Sequence, residues 1–230
     1  MNFAAILAGG IGTRLDVGVP KQFFKINNKP LLAYCIEPFL KVDILDKVIV
    51  SSPKQYLKNT QVLIDEYFGD ERLVVIEGGE TRNGTILNSI DYAMKNGADN
   101  NSVMVTHDGA RIFVSPRLIE DSIKYAGEYG AASAVIPAVD VIFQREQENR
   151  LKKIPERKYL CHAQTPQSFN IKKFIDIYRD LTEEEIELLD EAMMLFYLRD
   201  EEVYLFEGDP SNFKITRPFD ITVAESILGD

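Results

Sequence analysis

Short apolar runs alternate along this chain with longer segments in which apolar residues recur every three or four positions. The short runs predict strands at residues 3–7, 47–51, 73–77, 103–106, 131–137 and 203–206. The longer segments predict helices at residues 31–40, 53–67, 85–95, 116–129, 171–181, 183–198 and 218–228. Strands that alternate with helices predict an α/β fold with a mostly parallel twisted sheet, because parallel strands need crossover connections.

One charged stretch, residues 144–158, interrupts this alternation and contains few apolar residues. It can be interpreted as a solvated loop or hairpin, or as a projecting arm that supplies residues to a neighbouring subunit. Composition alone favours the loop or hairpin. No composition shift marks a domain boundary elsewhere, so residues 1–230 are expected to form a single domain.

The composition narrows the classes of protein to consider. Lys and Arg number 26 against 36 Asp and Glu, a net charge of −10, which argues against a general nucleic-acid binder but allows a small anion held by a local basic cluster. Cys35 and Cys161 form no disulfide framework and are interpreted as small buried apolar residues. With no basic segment at the start and no run of about 20 apolar residues, the sequence predicts a cytoplasmic protein.

A glycine-rich turn follows the first predicted strand, with the sequence Ala8-Gly9-Gly10-Ile11-Gly12-Thr13-Arg14. Such a turn lets backbone N–H groups approach an anion, and open α/β sheets bind their ligands at this edge. The Gly-Lys-Ser/Thr of a Walker A loop is absent. The dinucleotide fingerprint begins at Gly10 and Gly12 but has Leu15 in place of its third glycine, which disfavours an oxidoreductase with a nucleotide cofactor.

Two cations flank this glycine turn. Arg14 ends it, and Lys21 follows within the segment Pro20-Lys21-Gln22. A lone Arg or Lys is usually an ordinary surface cation, but a pair that brackets a glycine turn after a first strand predicts a polyphosphate site.

Four further motifs occur in order, and together with the glycine turn they span nearly the whole chain. They are Gly78-Gly79-Glu80-Thr81-Arg82 with Thr85, Thr106-His107-Asp108-Gly109-Ala110-Arg111, Ala163-Gln164-Thr165-Pro166-Gln167, and Asn212-Phe213-Lys214-Ile215-Thr216-Arg217-Pro218. With these motifs the chain resembles the 2-C-methyl-D-erythritol 4-phosphate and ribitol-5-phosphate cytidylyltransferases. The resemblance implies a Rossmann-like, three-layer nucleotidyltransferase fold with a projecting β-arm at about residues 139–163.

The resemblance also implies the partners of the protein and the roles of individual residues. CTP and a small polyol or sugar phosphate would be the substrates, Mg²⁺ the cofactor and a second copy of the chain the partner, with no nucleic acid and no membrane. Arg14 and Lys21 would hold the triphosphate, and Lys214 would reach the α-phosphate. Asp108 would carry the metal, and Arg157 on the arm would meet the acceptor's phosphate across the dimer interface. Substrate-binding positions would also include Ala8, Gly9, Gly10, Gly12, Gly79, Arg82, Asn83 and Thr85.

Two positions depart from the family pattern, and both bear on the acceptor. Ile112 stands where the family commonly has proline, and Val141 stands where a threonine usually meets the acceptor phosphate. Gly9, the Thr106–Asp108 triplet and the QTPQSF segment favour D-ribitol 5-phosphate as acceptor, giving CDP-ribitol for surface polymers of the teichoic acid type. The alternatives are 2-C-methyl-D-erythritol 4-phosphate of isoprenoid synthesis and, in another class, a non-catalytic nucleotide-binding module.

The implied reaction requires positive charge that offsets the repulsion between phosphates, and it does not require a protein nucleophile. A phosphate monoester is mostly a dianion at neutral pH, so it can attack the α-phosphorus of CTP without a strong general base. Two like charges at about 4 Å repel by about 4 kcal/mol at an effective dielectric constant near 20, so cations must be concentrated locally.

His107, His162 and Arg111 are interpreted as structural, Arg111 through an ion pair with Asp108 or another carboxylate.

Overall fold

The computed structural model describes residues 1–9, 20–188 and 192–229. Within them, eleven strands and eight helices follow one another along the chain. The strands are β1 (Asn2–Leu7), β2 (Lys25–Ile26), β3 (Lys29–Pro30), β4 (Lys47–Ser52), β5 (Leu73–Glu77), β6 (Val103–Asp108), β7 (Ala131–Pro137), β8 (Gln144–Arg145), β9 (Leu151–Lys153), β10 (Cys161–Asn170) and β11 (Tyr204–Glu207). The helices are α1 (Leu31–Leu40), α2 (Leu57–Tyr67), α3 (Arg82–Lys95), α4 (Pro116–Tyr129), α5 (Ile171–Arg179), α6 (Glu183–Leu188), α7 (Ala192–Tyr197) and α8 (Pro218–Gly229).

Seven strands form a central sheet in the order β11-β7-β10-β6-β1-β4-β5. Every neighbouring pair is parallel except the two that involve β10, which runs antiparallel to both β6 and β7. The predicted α/β fold with a mostly parallel sheet is therefore confirmed.

Helices cover both faces of this sheet, which gives three layers. Alternate residues of β1 point to opposite sides, so Ala4 and Ile6 pack in one core and Phe3 and Ala5 in the other. The first core takes apolar residues from α1, α2, α4 and α8, and the second takes them from α3, α5 and α7. None of the described helices has the length and apolar character that crossing a bilayer requires.

The strand order creates a crevice beside β1. The chain runs outward from β1 to β4 and β5, then returns to place β6 on the other side of β1. Leu7 and Asp108 are register partners, so β1 and β6 end side by side. This is the topological switch point at which open α/β sheets bind ligands, and the predicted glycine turn begins there.

The strand β10 was not predicted from the sequence pattern. It lies in the middle of the sheet, although its segment QTPQS is polar and contains Pro166. A register shift between Ala163 and Gln167 interrupts its pairing with β7, and a proline can occupy such an irregularity because no ladder hydrogen bond from its nitrogen is required there. Tertiary hydrogen bonds, described below, replace the apolar pattern that would have predicted this strand.

Most predicted element boundaries lie within a few residues of those observed. Helix α3 begins three residues earlier than predicted because Thr81 caps it, accepting a hydrogen bond from the N–H of Gly84. The predicted capping box is present, with Thr182 and Glu185 exchanging hydrogen bonds. The helix predicted at 183–198 corresponds to α6 and α7, and residues 189–191 lie outside the described part of the chain.

The charged segment between β7 and β10 forms the predicted arm. Its strands β8 and β9 pair as a separate two-stranded ribbon, away from the central sheet. Many of its apolar side chains are exposed to solvent: Val139, Val141, Phe143, Leu151, Ile154 and Tyr159. The charged composition therefore reflects a hairpin that projects from the body of the protein.

Candidate active site

Three cationic side chains converge on the carboxylate of Asp108 at the end of β6. Nζ of Lys214 lies 2.9 Å from Oδ2, Nε of Arg111 lies 3.4 Å from the same oxygen, and Nη2 of Arg82 lies 3.7 Å from Oδ1. The cations come from three separate parts of the sequence, which the fold brings to one edge of the sheet. The cluster of Arg82, Asp108, Arg111 and Lys214 is called the cation cluster below.

The cation cluster holds Asp108 in its charged form. Burial alone would raise the pKa of this carboxyl group, because only 13% of the side chain is exposed. The charges of Lys214, Arg82 and Arg111 outweigh burial and hold the pKa well below its usual range. The cluster thus carries one negative and three positive charges, and its excess positive charge suits an anionic ligand.

Several nitrogen atoms of the cation cluster are buried without a hydrogen-bond acceptor. They are Nη1 and Nη2 of Arg82 and Nε of Arg111, among the residues that the structure describes. Buried guanidinium donors normally find acceptors, so these donors beside the end of β6 are suited to the oxygens of a phosphate.

The backbone that carries Lys214 is tied to neighbouring strands. Arg111 donates from Nη1 to the carbonyl of Asn212 at 2.9 Å, and Asn212 donates from Nδ2 to the carbonyl of Thr165 at 2.7 Å. The N–H of Ile215 donates to the carbonyl of Ala110 at 2.9 Å. Lys214 is therefore held against the strand end that bears Asp108 by bonds on both sides of it in the sequence.

A buried polar network supports the backbone of Asp108. The N–H of Asp108 donates to Oγ1 of Thr165 at 3.1 Å, and the same hydroxyl lies 2.9 Å from Nδ1 of His107. Nε2 of His107 lies 3.0 Å from the carbonyl of Arg111. Gln164 adds a pair of bonds to the backbone of Asp209. His107 is fully buried in this network, in agreement with its interpretation as structural.

A tight turn after β5 positions Arg82 and its neighbours. The N–H of Gly79 donates to Oγ1 of Thr85 at 3.0 Å, and that hydroxyl also donates to the carbonyl of Thr81 at 2.9 Å. A Cβ atom on Gly79 would lie 2.4 Å from the carbonyl carbon of Gly84, so the two backbones approach too closely for any side chain. Asn83 and Thr85 are buried within this turn.

Lys21 lies apart from the cation cluster in sequence but near the segment that bears Lys214. It is 9% exposed, in a short helical turn that begins directly after Pro20. Its charge contributes to lowering the pKa of Asp220, the residue whose carboxylate binds the backbone of Thr216 and Arg217. Lys21 is therefore within electrostatic range of Asp220, the residue that binds the backbone just beyond Lys214.

The remaining predicted site residues divide into three groups. Ala8 is buried at the end of β1, where its N–H donates to the carbonyl of Ser51, and Gly9 beside it is exposed. Arg157 is exposed on the arm, where it donates from Nη1 to the carbonyl of Val139 at 2.8 Å and is not joined to the cation cluster by the contacts of the described residues. Three predicted positions lie outside the described residues: Gly10, Gly12 and Arg14.

The sequence interpretation underrated two features of the site. Arg111 was expected to pair with a carboxylate and does so. Its place in the cation cluster also puts one of its N–H donors at the end of β6, and the spacing of three residues from Asp108 is the sequence feature that could have indicated this.

Asn212 is fully buried between Thr165 and Arg111, a position that no local sequence pattern reveals. The expectation for Cys161 was wrong, since it is exposed at the start of β10, whereas Cys35 is buried as expected.

The comparisons with known proteins show the family of the chain and its fold. A family model described as IspD, 2-C-methyl-D-erythritol 4-phosphate cytidylyltransferase, matches residues 3–230. The chain belongs to this family. It is therefore a nucleotidyltransferase that uses CTP, and the predicted enzyme class is confirmed. The match supports the 2-C-methyl-D-erythritol 4-phosphate alternative better than the ribitol 5-phosphate prediction.

Solved structures of IspD-type proteins share the fold over the whole chain. A 4-diphosphocytidyl-2C-methyl-D-erythritol synthase from Anaerococcus prevotii DSM 20548 is 23% identical, with 100% of this chain and 96% of that chain covered and a TM-score of 0.82. The enzyme named IspD from Francisella tularensis is 24% identical, with 98% of both chains covered and a TM-score of 0.81. The 2-C-methyl-D-erythritol 4-phosphate cytidylyltransferase from Thermus thermophilus is 24% identical, with 100% of both chains covered and a TM-score of 0.74. At these identities the likeness establishes the fold.

The contact between Gly79 and Gly84 generates a prediction about stability. We expect Gly79→Ala to lower the free energy of unfolding by about 1–3 kcal/mol, because the added methyl group must displace backbone atoms. Gly127 in α4 is the control, because a Cβ there meets nothing within 4 Å. Gly127→Ala should therefore raise the free energy of unfolding by about 0.4–1 kcal/mol. Urea denaturation measures both, and equal stabilities for the two variants would contradict the close approach.

The buried imidazole of His107 generates a prediction about pH. Burial lowers the pKa of His107 to about 4, against about 6.5 in an unfolded chain. The unfolded chain therefore binds an extra proton as the pH falls from about 6.5 to 4. The contribution of the neutral imidazole to stability is complete above about pH 6.5 and declines by roughly 3 kcal/mol over this interval.

Proton NMR can follow this titration directly. The chain has two histidines, so His162→Gln leaves only the resonances of His107. We expect these resonances to stay constant from about pH 7.5 to 5 in the folded protein and to titrate near about 6.5 in concentrated urea. A midpoint above about 6 in the folded protein would refute the buried, neutral state.

Proposed function

We propose that this enzyme transfers the cytidylyl group of CTP to the phosphate of 2-C-methyl-D-erythritol 4-phosphate, releasing pyrophosphate. The convergence of Lys214, Arg111 and Arg82 on Asp108 is the observation that carries the proposal. It places excess positive charge at the switch point of a chain that belongs to a cytidylyltransferase family. The family model and the names of the related proteins support the erythritol phosphate as acceptor.

The proposed chemistry joins two anions in line. An oxygen of the acceptor's phosphate dianion forms a bond to the α-phosphorus of CTP, and the bond from this phosphorus to the bridging oxygen of pyrophosphate breaks. Lys214 would contact the α-phosphate, where charge accumulates in the transition state, and Lys21 with Arg14 would hold the leaving pyrophosphate. Positioned cations stabilise developing charge strongly because they need no reorganisation during the step.

Asp108 is the proposed ligand of a magnesium ion. The described residues contain no cluster of three or more His, Cys, Asp or Glu side chains, and the carboxylate of Asp108 is the ligand proposed here. This donor set fits Mg²⁺, which commonly takes one or two carboxylates and completes its coordination with substrate phosphate oxygens and water. When bound, Mg²⁺ would neutralise phosphate oxygens and screen their repulsion.

The arm is proposed to act across a homodimer. Its exposed apolar side chains include Val139, Phe143 and Tyr159, at 78, 63 and 75% exposure, and burying them against a second copy would be favourable. Arg157 lines a groove of about 540 Å³ at the root of the arm, together with Lys158 and Pro137. We propose that this arginine binds the acceptor's phosphate in the neighbouring subunit. Because CTP is a cytosolic metabolite, we expect the enzyme in the cytoplasm.

D-Ribitol 5-phosphate is the second candidate acceptor. The Thr106–Asp108 triplet, Gly9 and the QTPQSF segment of β10 favour it. Val141 favours neither candidate, because its exposed side chain offers no hydroxyl group to the phosphate of either acceptor. Both candidates share the proposed nucleotide chemistry and differ only in the acceptor.

An acceptor panel tests the proposed function. The protein is mixed with CTP and Mg²⁺ and, separately, 2-C-methyl-D-erythritol 4-phosphate, D-ribitol 5-phosphate, glycerol 3-phosphate or no acceptor, and pyrophosphate release and the CDP product are measured. We expect the highest kcat/KM with the erythritol phosphate. A higher value with ribitol phosphate would favour the second candidate. Absence of release with every phosphate would favour the non-catalytic binding module.

Replacement of Lys214 tests the role of the cation cluster. With the best acceptor, Lys214→Ala should lower kcat by about a hundredfold or more, since it removes a donor to the transition state. Lys25→Ala is the matched control, because Lys25 is exposed on β2. A Lys214→Ala enzyme as active as this control would remove Lys214 from the mechanism.

Replacement of Arg157 tests the arm. Arg157→Ala should raise the KM for the acceptor by about tenfold or more and leave the KM for CTP nearly unchanged, because the lost contact is to the acceptor's phosphate. Lys153→Ala, which removes an exposed cation from β9, should change neither. Equal increases in both KM values would contradict the assignment.

Mixing the Arg157→Ala and Lys214→Ala variants tests whether Arg157 acts in the neighbouring subunit, provided that the acceptor concentration is kept well below the wild-type KM, where each variant alone has little activity. A heterodimer of Arg157→Ala and Lys214→Ala subunits contains one intact site if the arm acts across the interface. After subunit exchange, we expect about a quarter of the wild-type activity, since about half of the dimers are mixed and each has one intact site. No recovery, with exchange verified by mass spectrometry, would place Arg157 in its own subunit's site.

A further inference from the structure

The segment that carries Lys214 is anchored at both ends. On its amino-terminal side, Asn212 binds Thr165 and Arg111. On its carboxyl-terminal side, the anchor is Asp220, in the first turn of α8. Oδ2 of Asp220 accepts hydrogen bonds from the N–H of Thr216 at 2.6 Å, the hydroxyl of Thr216 at 2.9 Å and the N–H of Arg217 at 2.8 Å.

Helix α8 gives Asp220 a fixed position from which to hold this segment. Ile221 and Ala224 of α8 are buried in the core that also takes residues of β1 and α1. Asp220 precedes Ile221 directly, so its Cα atom moves only if the helix moves. Three donors on one carboxylate oxygen, two of them backbone N–H groups, then fix the chain two and three residues beyond Lys214.

Lys21 reinforces the charged state of Asp220. Partial burial raises the pKa of Asp220, but the hydrogen bonds from Thr216 and Arg217 outweigh it and lower the pKa below its usual value, and the nearby charge of Lys21 acts in the same direction. Asp220 therefore stays ionised at neutral pH, and it links the segment of Lys214 electrostatically to the other lysine proposed to bind the triphosphate.

We propose that Asp220 is a positioning residue, which fixes the backbone of Thr216 and Arg217 so that the ammonium group of Lys214 stays at the carboxylate of Asp108. The inference rests on the role of Lys214 in the proposed function. The hydrogen bonds of Asp220 go to Thr216 and Arg217 and not to the cation cluster, within the part of the chain that the structure describes, so its effect passes through the backbone. A displacement of about 1 Å at a reacting centre can lower a rate by about a hundredfold, which makes such an anchor consequential.

Three substitutions separate positioning from mere stability. Asp220→Asn keeps the size of the side chain but removes its charge and one acceptor oxygen. Asp220→Glu keeps the carboxylate, and glutamate at this position of a first turn can still bind the backbone ahead of the helix. Glu225→Gln is the control, because it removes the same charge from an exposed position of α8.

The first measurement is steady-state turnover with the best acceptor of the panel, at a temperature where each variant is folded by circular dichroism. We expect Asp220→Asn to lower kcat about ten- to a hundredfold and to change the KM for CTP by less than about threefold. Asp220→Glu should recover part of the loss, and Glu225→Gln should match the wild type. An Asp220→Asn enzyme with the kcat of Glu225→Gln overturns the inference.

The second measurement needs no substrate. An amine-reactive reagent is applied to each protein without CTP, and labelling of Lys214 is followed by peptide mass spectrometry. Because Lys214 is paired with Asp108 in the anchored segment, we expect slow labelling in the wild type and labelling at least about threefold faster in Asp220→Asn. Unchanged labelling overturns the inference. If Asp220→Asn fails to fold, Thr216→Val, which removes one of the three bonds, is labelled instead, with the same direction of change expected.

These readouts also separate this inference from the proposed function. A wild-type protein that turns over no phosphate acceptor would contradict the proposed function, while the labelling comparison would still decide whether Asp220 anchors Lys214. Turnover by the wild type with equal kcat in Asp220→Asn would contradict the anchor alone.

Discussion

The rest of the site depends on the ion pairs that the carboxylate of Asp108 forms with three cationic side chains. Among the described residues, this carboxylate is the anion that Lys214, Arg111 and Arg82 share in the cation cluster. Positive charges about 6 Å apart repel one another by about 3 kcal/mol at an effective dielectric constant near 20, so such side chains would separate without a shared counter-ion. Asp108 keeps them together while leaving an excess of positive charge, in a protein whose net charge is −10.

Around this carboxylate, buried hydrogen bonds hold in place the strand ends and the loops that follow them. Thr165, Asn212 and Gln164 are all buried, and each bonds to the backbone of a neighbouring segment. Their bonds connect β6, β10 and the segment after β11, which bear the parts of the site. Because an unsatisfied buried polar group is costly, these contacts specify one arrangement of the loops more strictly than apolar packing would.

The sequence predicts the parts of this protein that apolar periodicity encodes. Strands β1, β4, β5, β6 and β7 are β-rich apolar runs, and their ends place Asp108 beside the first glycine turn. Strand β10 could not be predicted in this way, because its QTPQS segment is polar and its place depends on partners distant in the sequence. The motif resemblance supplied Lys214 and Arg82 as site residues, but not their shared contact with Asp108, which depends on how three loops meet. The buried position of Asn212 depends on the same meeting and has no local signal.

The antiparallel direction of β10 has a consequence for how this architecture can vary. Strand β7 ends, and β10 begins, at the sheet edge where the parallel strands finish, with Pro137 and Cys161 as register partners. Any residues inserted in that connection must therefore emerge beside the crevice, whatever their number or sequence. The hairpin can lengthen, shorten or exchange its side chains without changing the strand pairing of the central sheet. The topology thus separates the hairpin, which can vary, from the strand ends that hold the cation cluster in place.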